Sequence, residues 1–469
     1  MKRRSILGLC FLALPLGLAI TAGLTQQSAP TAGTGWVAKR MCSAVFVAGR
    51  SPASVVEAEI PLPIPFSPEI EIDRARRRVT ATLLGSFLSV AQFRPGLGCT
   101  TIDTPEAADA LLLASEKAPD ETLETRTFAP PSPLSVLTPR PELSAVIESA
   151  FDPNDAGFGT RAVVILRDGI LVGERYASGY DTSTPLAGWS MAKSVTNAVI
   201  GLLVDEGRLD LHAPVGIALW RNDERREITW DHLLRMSSGL EFSENYFLPS
   251  SDAIQMLLGN RRTDTGLAAA RKPLAFPVDT HWGYSSGTTN ILHRALLERV
   301  FGGDTEAYQA YPRQRLFGPL GMESAVLETD AYGSYIGSSY MYASARDWAR
   351  FGQLFLDRGK VEGVRLLSES WIQYSLSPTP THVRGNFGAH WWLNTQPEEG
   401  ERWMPELPTG AFRATGFEGQ SVLVIPEEGL VVVRLGVDRG FPFAIEDFTR
   451  RVMETLRRQE EAERVVSGH

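Results

Sequence analysis

The sequence predicts an α+β fold in which one antiparallel sheet, flanked by helices, is closed by segments from both ends of its domain around an all-helical lobe. Three observations carry this. A hairpin pattern at 162–176 is followed by a long run of helical patterns, and a second hairpin pattern returns only at 420–435. Strand pairs at the two ends with helices between them favour edge-to-edge pairing of distant segments over the regular βαβ alternation of a parallel sheet.

The elements follow in chain order. Met1-Lys-Arg-Arg4 leads into an apolar run from Ile6 to Leu24 and then into polar Thr25-Gln-Gln-Ser28, the three-part pattern of an export segment. Residues 1–24 are read as either a cleaved signal or a retained membrane anchor. The run is just long enough to span a bilayer, but Pro15 and several glycines weaken a permanent helix. Either way the body is expected outside the cytoplasm, exported to a periplasmic or other extracytoplasmic location.

Residues 31–115 alternate short apolar runs with Pro-rich turns and read as a small separate unit of unknown role. Cys42 and Cys99 fall in it. An even pair in an oxidising compartment suggests one disulfide, with two buried free thiols as the alternative. Neither cysteine sits near a histidine cluster, so no metal is expected there.

Residues 116–141, rich in Pro, Glu and Thr, read as a linker, and 142–460 as the main domain. In that domain Asp168-Gly169 turns between the apolar runs Ala162-Val-Val-Ile-Leu166 and Ile170-Leu-Val172. Apolar Val195, Ala198, Val199, Leu202 and Leu203 then keep helical spacing from Ser190 to Gly207. Further helices are expected at 230–236, 288–301 and 344–358, and a long amphipathic one from about Ala444. Ser251-Asp252 reads as a helix cap. The net charge of −9 over 469 residues, with no Lys/Arg-dense aromatic stretch, argues against nucleic acid as a partner.

Three segments carry candidate chemistry. Ser190 and Lys193 form the only Ser-x-x-Lys of the chain, a pattern that chance alone would supply about twice at this length. Their placement is what matters: at the first turn of a helix, i and i+3 side chains share a face roughly 5–6 Å apart. A lysine near the positive helix end and partly desolvated is pushed toward its neutral form and becomes a base for the serine. The bland alternative is a serine cap followed by a surface lysine. Tyr284, on a loop before a helix, is expected to project into a cleft as a general base if a neighbouring lysine lowers its phenol, or else to be a buried aromatic. Ala414-Thr415-Gly416 runs into a strand whose edge N–H groups suit an oxyanion, or is an ordinary turn.

In this order, and with His232-Leu-Leu-Arg-Met-Ser-Ser-Gly239, Met341-Tyr-Ala-Ser-Ala-Arg-Asp-Trp-Ala-Arg350 and Phe387-Gly-Ala-His-Trp-Trp392, the chain from about Pro141 to Leu456 resembles the serine β-lactamase and DD-peptidase superfamily. Within it the similarity is to class C-like esterases, amidases and 6-aminohexanoate-oligomer hydrolases. The resemblance implies a β-lactamase/transpeptidase-like fold and an acyl-enzyme on Ser190, with Lys193 as base and Tyr284 shuttling protons. It also implies an oxyanion hole from the N–H groups of Ser190 and Phe417, a substrate strand at Thr415 and Gly416, a small-molecule or short-peptide-like acyl substrate, and no cofactor. Two positions depart from the β-lactamase pattern: Ser286 stands where Tyr-x-Asn has its asparagine, and Ala414 where Lys-Thr-Gly has its lysine. A cation that would pair with a substrate carboxylate is thereby lost, which points to esters or linear amides rather than β-lactams. The other readings are a non-catalytic binding module of the same fold, a true β-lactamase or DD-peptidase, and an α/β-hydrolase built on Gly188-Trp-Ser190.

Overall fold

A computed structural model describes residues 29–60, 67–115, 132–152, 158–397, 401–438 and 442–467. The apolar segment 6–24 and most of the expected linker lie outside the described residues.

The central sheet has six antiparallel strands in the order Trp392–Leu393, Phe412–Gly416, Gln420–Ile425, Leu430–Asp438, Phe158–Arg167, Ile170–Tyr176. Leu430–Asp438 pairs with Phe158–Arg167, Val433 opposite Val164, which is the expected closure by distant segments. Both faces of these strands are covered, which is why they read as unbroken apolar runs rather than alternating ones. Val163, Ile165, Leu423 and Val432 face the helices Pro141–Ser149 and Ile445–Ser467. Val164, Leu166, Val422 and Val433 face Ala345–Leu356 and the helical lobe. Ser344 caps the Ala345 helix through Asp347 N, and Ser251 caps Asp252–Leu257 through Ile254 N, as the sequence reading of that segment requires. A three-stranded sheet of Leu186–Ala187, Met341–Ala343 and Val326–Leu327 escapes sequence reading, because two or three residues carry no period.

The N-terminal residues fold into a helix at 29–42 that continues through Ser43–Val47, a short helix Pro52–Glu59, a four-stranded antiparallel meander from Glu69 to Ile102, and the helix Pro105–Ser115. Val37, Met41, Val45, Val79, Ala81 and Ala91 form its core, and Cys42 is joined to Cys99 by a disulfide between helix and last strand. With 57 residues closed by that link, replacing both cysteines with serine is expected to lower stability by about 2–4 kcal/mol, read as a fall in the denaturant midpoint.

This unit docks through buried polar groups. Glu328, fully buried in the main domain, accepts from Lys39, from Ser43 Oγ at 2.8 Å and from Cys99 N at 2.7 Å. Arg94 reaches Thr329, Thr100 Oγ1 donates to Thr329 O at 2.9 Å, and Arg262 donates back to Ile102 O at 3.1 Å. The described part of the linker lies along the outer strand, where Leu137 N donates to Leu171 O.

Candidate active site

The chain enters the site through Gly188, whose N–H donates to Met341 O, so the small sheet fixes the approach. Trp189 then takes φ +49°, a left-handed conformation that costs a bulky residue roughly 1–2 kcal/mol. A single 3-10 turn, Trp189–Met191, carries Ser190, and the α-helix runs from Ala192 to Asp205. The helix therefore starts two residues later than its apolar spacing predicts, and Ser190 stands on the turn before it.

Lys193 is 98% buried and donates to three acceptors: Ser190 Oγ at 3.2 Å, Ser286 Oγ at 3.1 Å and Ser338 O at 2.8 Å. Burial pushes its ammonium down to about 8, with Glu244 opposing that shift. The partners also settle where a neutral amine would point. Ser338 O only accepts, and Ser286 Oγ spends its one proton on Glu244 Oε1 at 2.5 Å, so it too must accept. Two N–H bonds of the amine are committed, and the lone pair is left for Ser190. Ser286 thus holds Lys193 in register without the asparagine of the β-lactamase pattern.

Glu244, which also accepts from Ser286 N at 2.9 Å and from Tyr246, was not found by sequence reading. It sits in a loop before the Asp252 helix and belongs to no motif.

Tyr284 stacks on Trp392, with centroids 5.7 Å apart, and packs edge-on to Phe387. Its ring lies 4.8 Å from Lys193 Nζ, and its hydroxyl is close enough to Ser190 for the two to interact. The expectation that lysine would acidify the phenol is reversed: burial first, then the Glu244 carboxylate, push it well above its ordinary value. Tyr284 stays protonated at neutral pH, so it suits a proton relay, not a phenolate base.

On the far side, strand Phe412–Gly416 presses against the Gly188 carbonyl. A Cβ at Gly416 would lie 2.1 Å from that oxygen, so only glycine fits. Thr415 precedes it opposite Ser421, and Phe417 follows at the start of the next turn. The close approach sets the Phe417 backbone beside the turn bearing Ser190. Ala414 is buried in the core, and its side chain carries no charge in place of the missing lysine. The buried histidines are structural: His390 bridges Lys193 O and Thr289, His293 bridges Thr196 and Tyr308, and desolvation pushes both down to about 3.

Two cavities flank the site. One of 500 Å³ is lined by Ser190, Trp189 and Phe417, and one of 210 Å³ by Tyr284, Ser238 and His281. A larger polar cleft at Trp282, Trp403 and Arg384 lies behind Trp392 and away from Ser190.

An antiparallel sheet closed from both ends, a serine on the turn before a helix whose first turn carries a lysine, a tyrosine on a second loop and a glycine-bearing strand define the fold class of the serine β-lactamases and transpeptidases. The β-lactamase family model matches residues 147–451, and the chain belongs to that family and is a hydrolase. It is 25% identical over 308 residues to the 6-aminohexanoate-dimer hydrolase of Paenarthrobacter ureafaciens, covering 59% of this chain and 72% of the relative. Its fold is similar to a 6-aminohexanoate-dimer hydrolase-like protein of Bacillus anthracis (TM-score 0.56, 21% identity, 71% of this chain and 88% of that one). A β-lactamase-like protein of Bacteroides dorei is also similar (TM-score 0.51, 17% identity, 64% and 91%).

Proposed function

We propose that the protein is an exported serine hydrolase that cleaves an ester or linear amide through an acyl-enzyme on Ser190. Ser190 Oγ bonds to the carbonyl carbon as its proton passes to Lys193 Nζ, while the N–H groups of Ser190 and Phe417 take the developing oxyanion. The C–O or C–N bond then breaks, and the leaving group receives that proton through the Tyr284 hydroxyl. Water repeats the sequence in reverse roles, releasing the acid and restoring Ser190. The observation that carries this reading is the hydrogen bonding of Lys193, whose two other partners leave its lone pair to the nucleophile. Ala414 and Ser286, in place of lysine and asparagine, favour acyl groups without the carboxylate of a β-lactam.

The test is a fluorophosphonate label with mass analysis. Wild type is expected to carry one adduct on Ser190, and Ser190→Ala none. Because the working base is the neutral amine, kcat/KM for a neutral ester should fall tenfold per pH unit below about 8 and level off above it. A plateau already reached at pH 6, or labelling that survives Ser190→Ala, would overturn the mechanism.

A further inference from the structure

The 500 Å³ cavity beside Ser190 has walls from two parts of the chain. Trp189, Leu258, Tyr340 and Phe417 come from within the family match, whereas Ala29, Ala32, Gly33 and Trp36 come from the N-terminal helix, more than a hundred residues before it begins. Trp36 lies face to face with Trp189, the residue preceding the nucleophile, at 5.4 Å and 6°. Phe417 stands edge-on to both rings, so three aromatics box the space next to Ser190.

Charge narrows what this box accepts. Glu59, Glu418 and Asp438 reach the cavity, but each is matched by a guanidinium: Arg40 pairs with Glu59 at 2.9 Å and Glu418 at 2.6 Å, and Arg434 with Asp438 at 2.6 Å. No acid is left to hold a substrate ammonium, and the guanidinium groups, each engaged by an acid, are not left to hold a substrate carboxylate. Direction follows from Tyr284. The leaving group departs toward its proton donor, which lines the other, smaller cavity, so the group that stays on Ser190 occupies the aromatic box.

We propose that the N-terminal helix at 29–42 is the acyl-binding wall of the active site, and that through Trp36 and Gly33 it selects an uncharged, apolar acyl group. This rests on the acyl-enzyme reading and adds a substrate class to it. A 500 Å³ cavity lies within the range that encloses small organic ligands.

A series of p-nitrophenyl esters keeps the leaving group constant while the acyl chain grows. From acetyl to octanoyl, kcat/KM of the full-length protein is expected to rise at least about tenfold. Trp36→Ala should flatten the profile, and Trp36→Phe restore much of it. Gly33 lines the cavity and an added Cβ there meets nothing within 4 Å, so Gly33→Phe puts bulk into the box and should lower the octanoyl-to-acetyl ratio by about tenfold. Calorimetry of octanoate binding to Ser190→Ala, with and without Trp36→Ala, reads the same pocket without turnover. A preference for 6-aminohexanoyl over octanoyl esters, or a chain-length profile identical in all variants, overturns the proposal. Absence of any Ser190 adduct overturns the acyl-enzyme reading instead, and octanoate binding lost with Trp36 would still identify the pocket.

Discussion

Lys193→Met is expected to lower kcat/KM by a factor on the order of 10²–10⁴, the usual contribution of a positioned acid–base group, without loss of fold. Among the described residues the lysine supplies the only amine at Ser190 Oγ, and the buried histidines are held by other partners. Methionine keeps the side-chain volume and takes the proton acceptor away. The fall should appear in kcat as much as in kcat/KM, because the interaction lost is made in the transition state.

The same substitution reports on stability, with a definite sign. Unfolded, the lysine titrates near 10.5; folded, burial brings it down to about 8. Between those values the unfolded chain binds the extra proton, so stability rises with pH. Below about pH 8 the folded protein carries a desolvated ammonium at full penalty, and the penalty is relieved from about 8 to 10.5. Lys193→Met should therefore melt higher than wild type at pH 7, with the gap closing by pH 10. An activity loss with a lower melting temperature at both pH values would mark Lys193 as a packing residue.

Legibility of the site in the sequence divides along physical lines. The sheet closure was readable because strands buried on both faces, such as Ala162–Leu166 and Leu430–Leu435, are continuous apolar runs bounded by turns. Ser190 and Lys193 were readable because a helix brings i and i+3 together. Glu244 was not, since its role depends on a loop that returns to Ser286 from 42 residues away. The direction of the Tyr284 shift was misread for a related reason: sequence named the neighbouring lysine but not the carboxylate or the burial that outweigh it. Nor does composition reveal that the unit at 31–115, which reads as separate, presents Trp36 to Trp189, because that contact joins residues 153 positions apart.

That contact depends on how the unit is held, which makes Glu328 the position of largest expected effect on stability. Its carboxylate is the acceptor around which Lys39, Ser43 and Cys99 converge, and Lys39 is itself buried against the Tyr340 ring at 4.3 Å. Burial disfavours the Lys39 ammonium and Glu328 offsets this. Glu328→Ala would strand that ammonium and leave the Cys99 N–H without its acceptor, a loss of about 3–5 kcal/mol for one partner removed from a buried pair. Glu328→Gln keeps an acceptor but no charge and should fall between. The double variant Lys39→Met, Glu328→Met removes both charges and should recover most of the loss, because a buried ion pair replaced by apolar groups is often neutral. Denaturant midpoints of wild type, Lys39→Met, Glu328→Met and the double variant form a cycle whose coupling energy should be large and favourable to the pair. If the single variants each cost under about 1 kcal/mol, the pair behaves as an exposed one and the docking is not carried here. Loss of stability in Glu328→Ala should also bring loss of acyl-chain discrimination, since the helix that carries Lys39 is the one that sets Trp36 against the turn bearing Ser190.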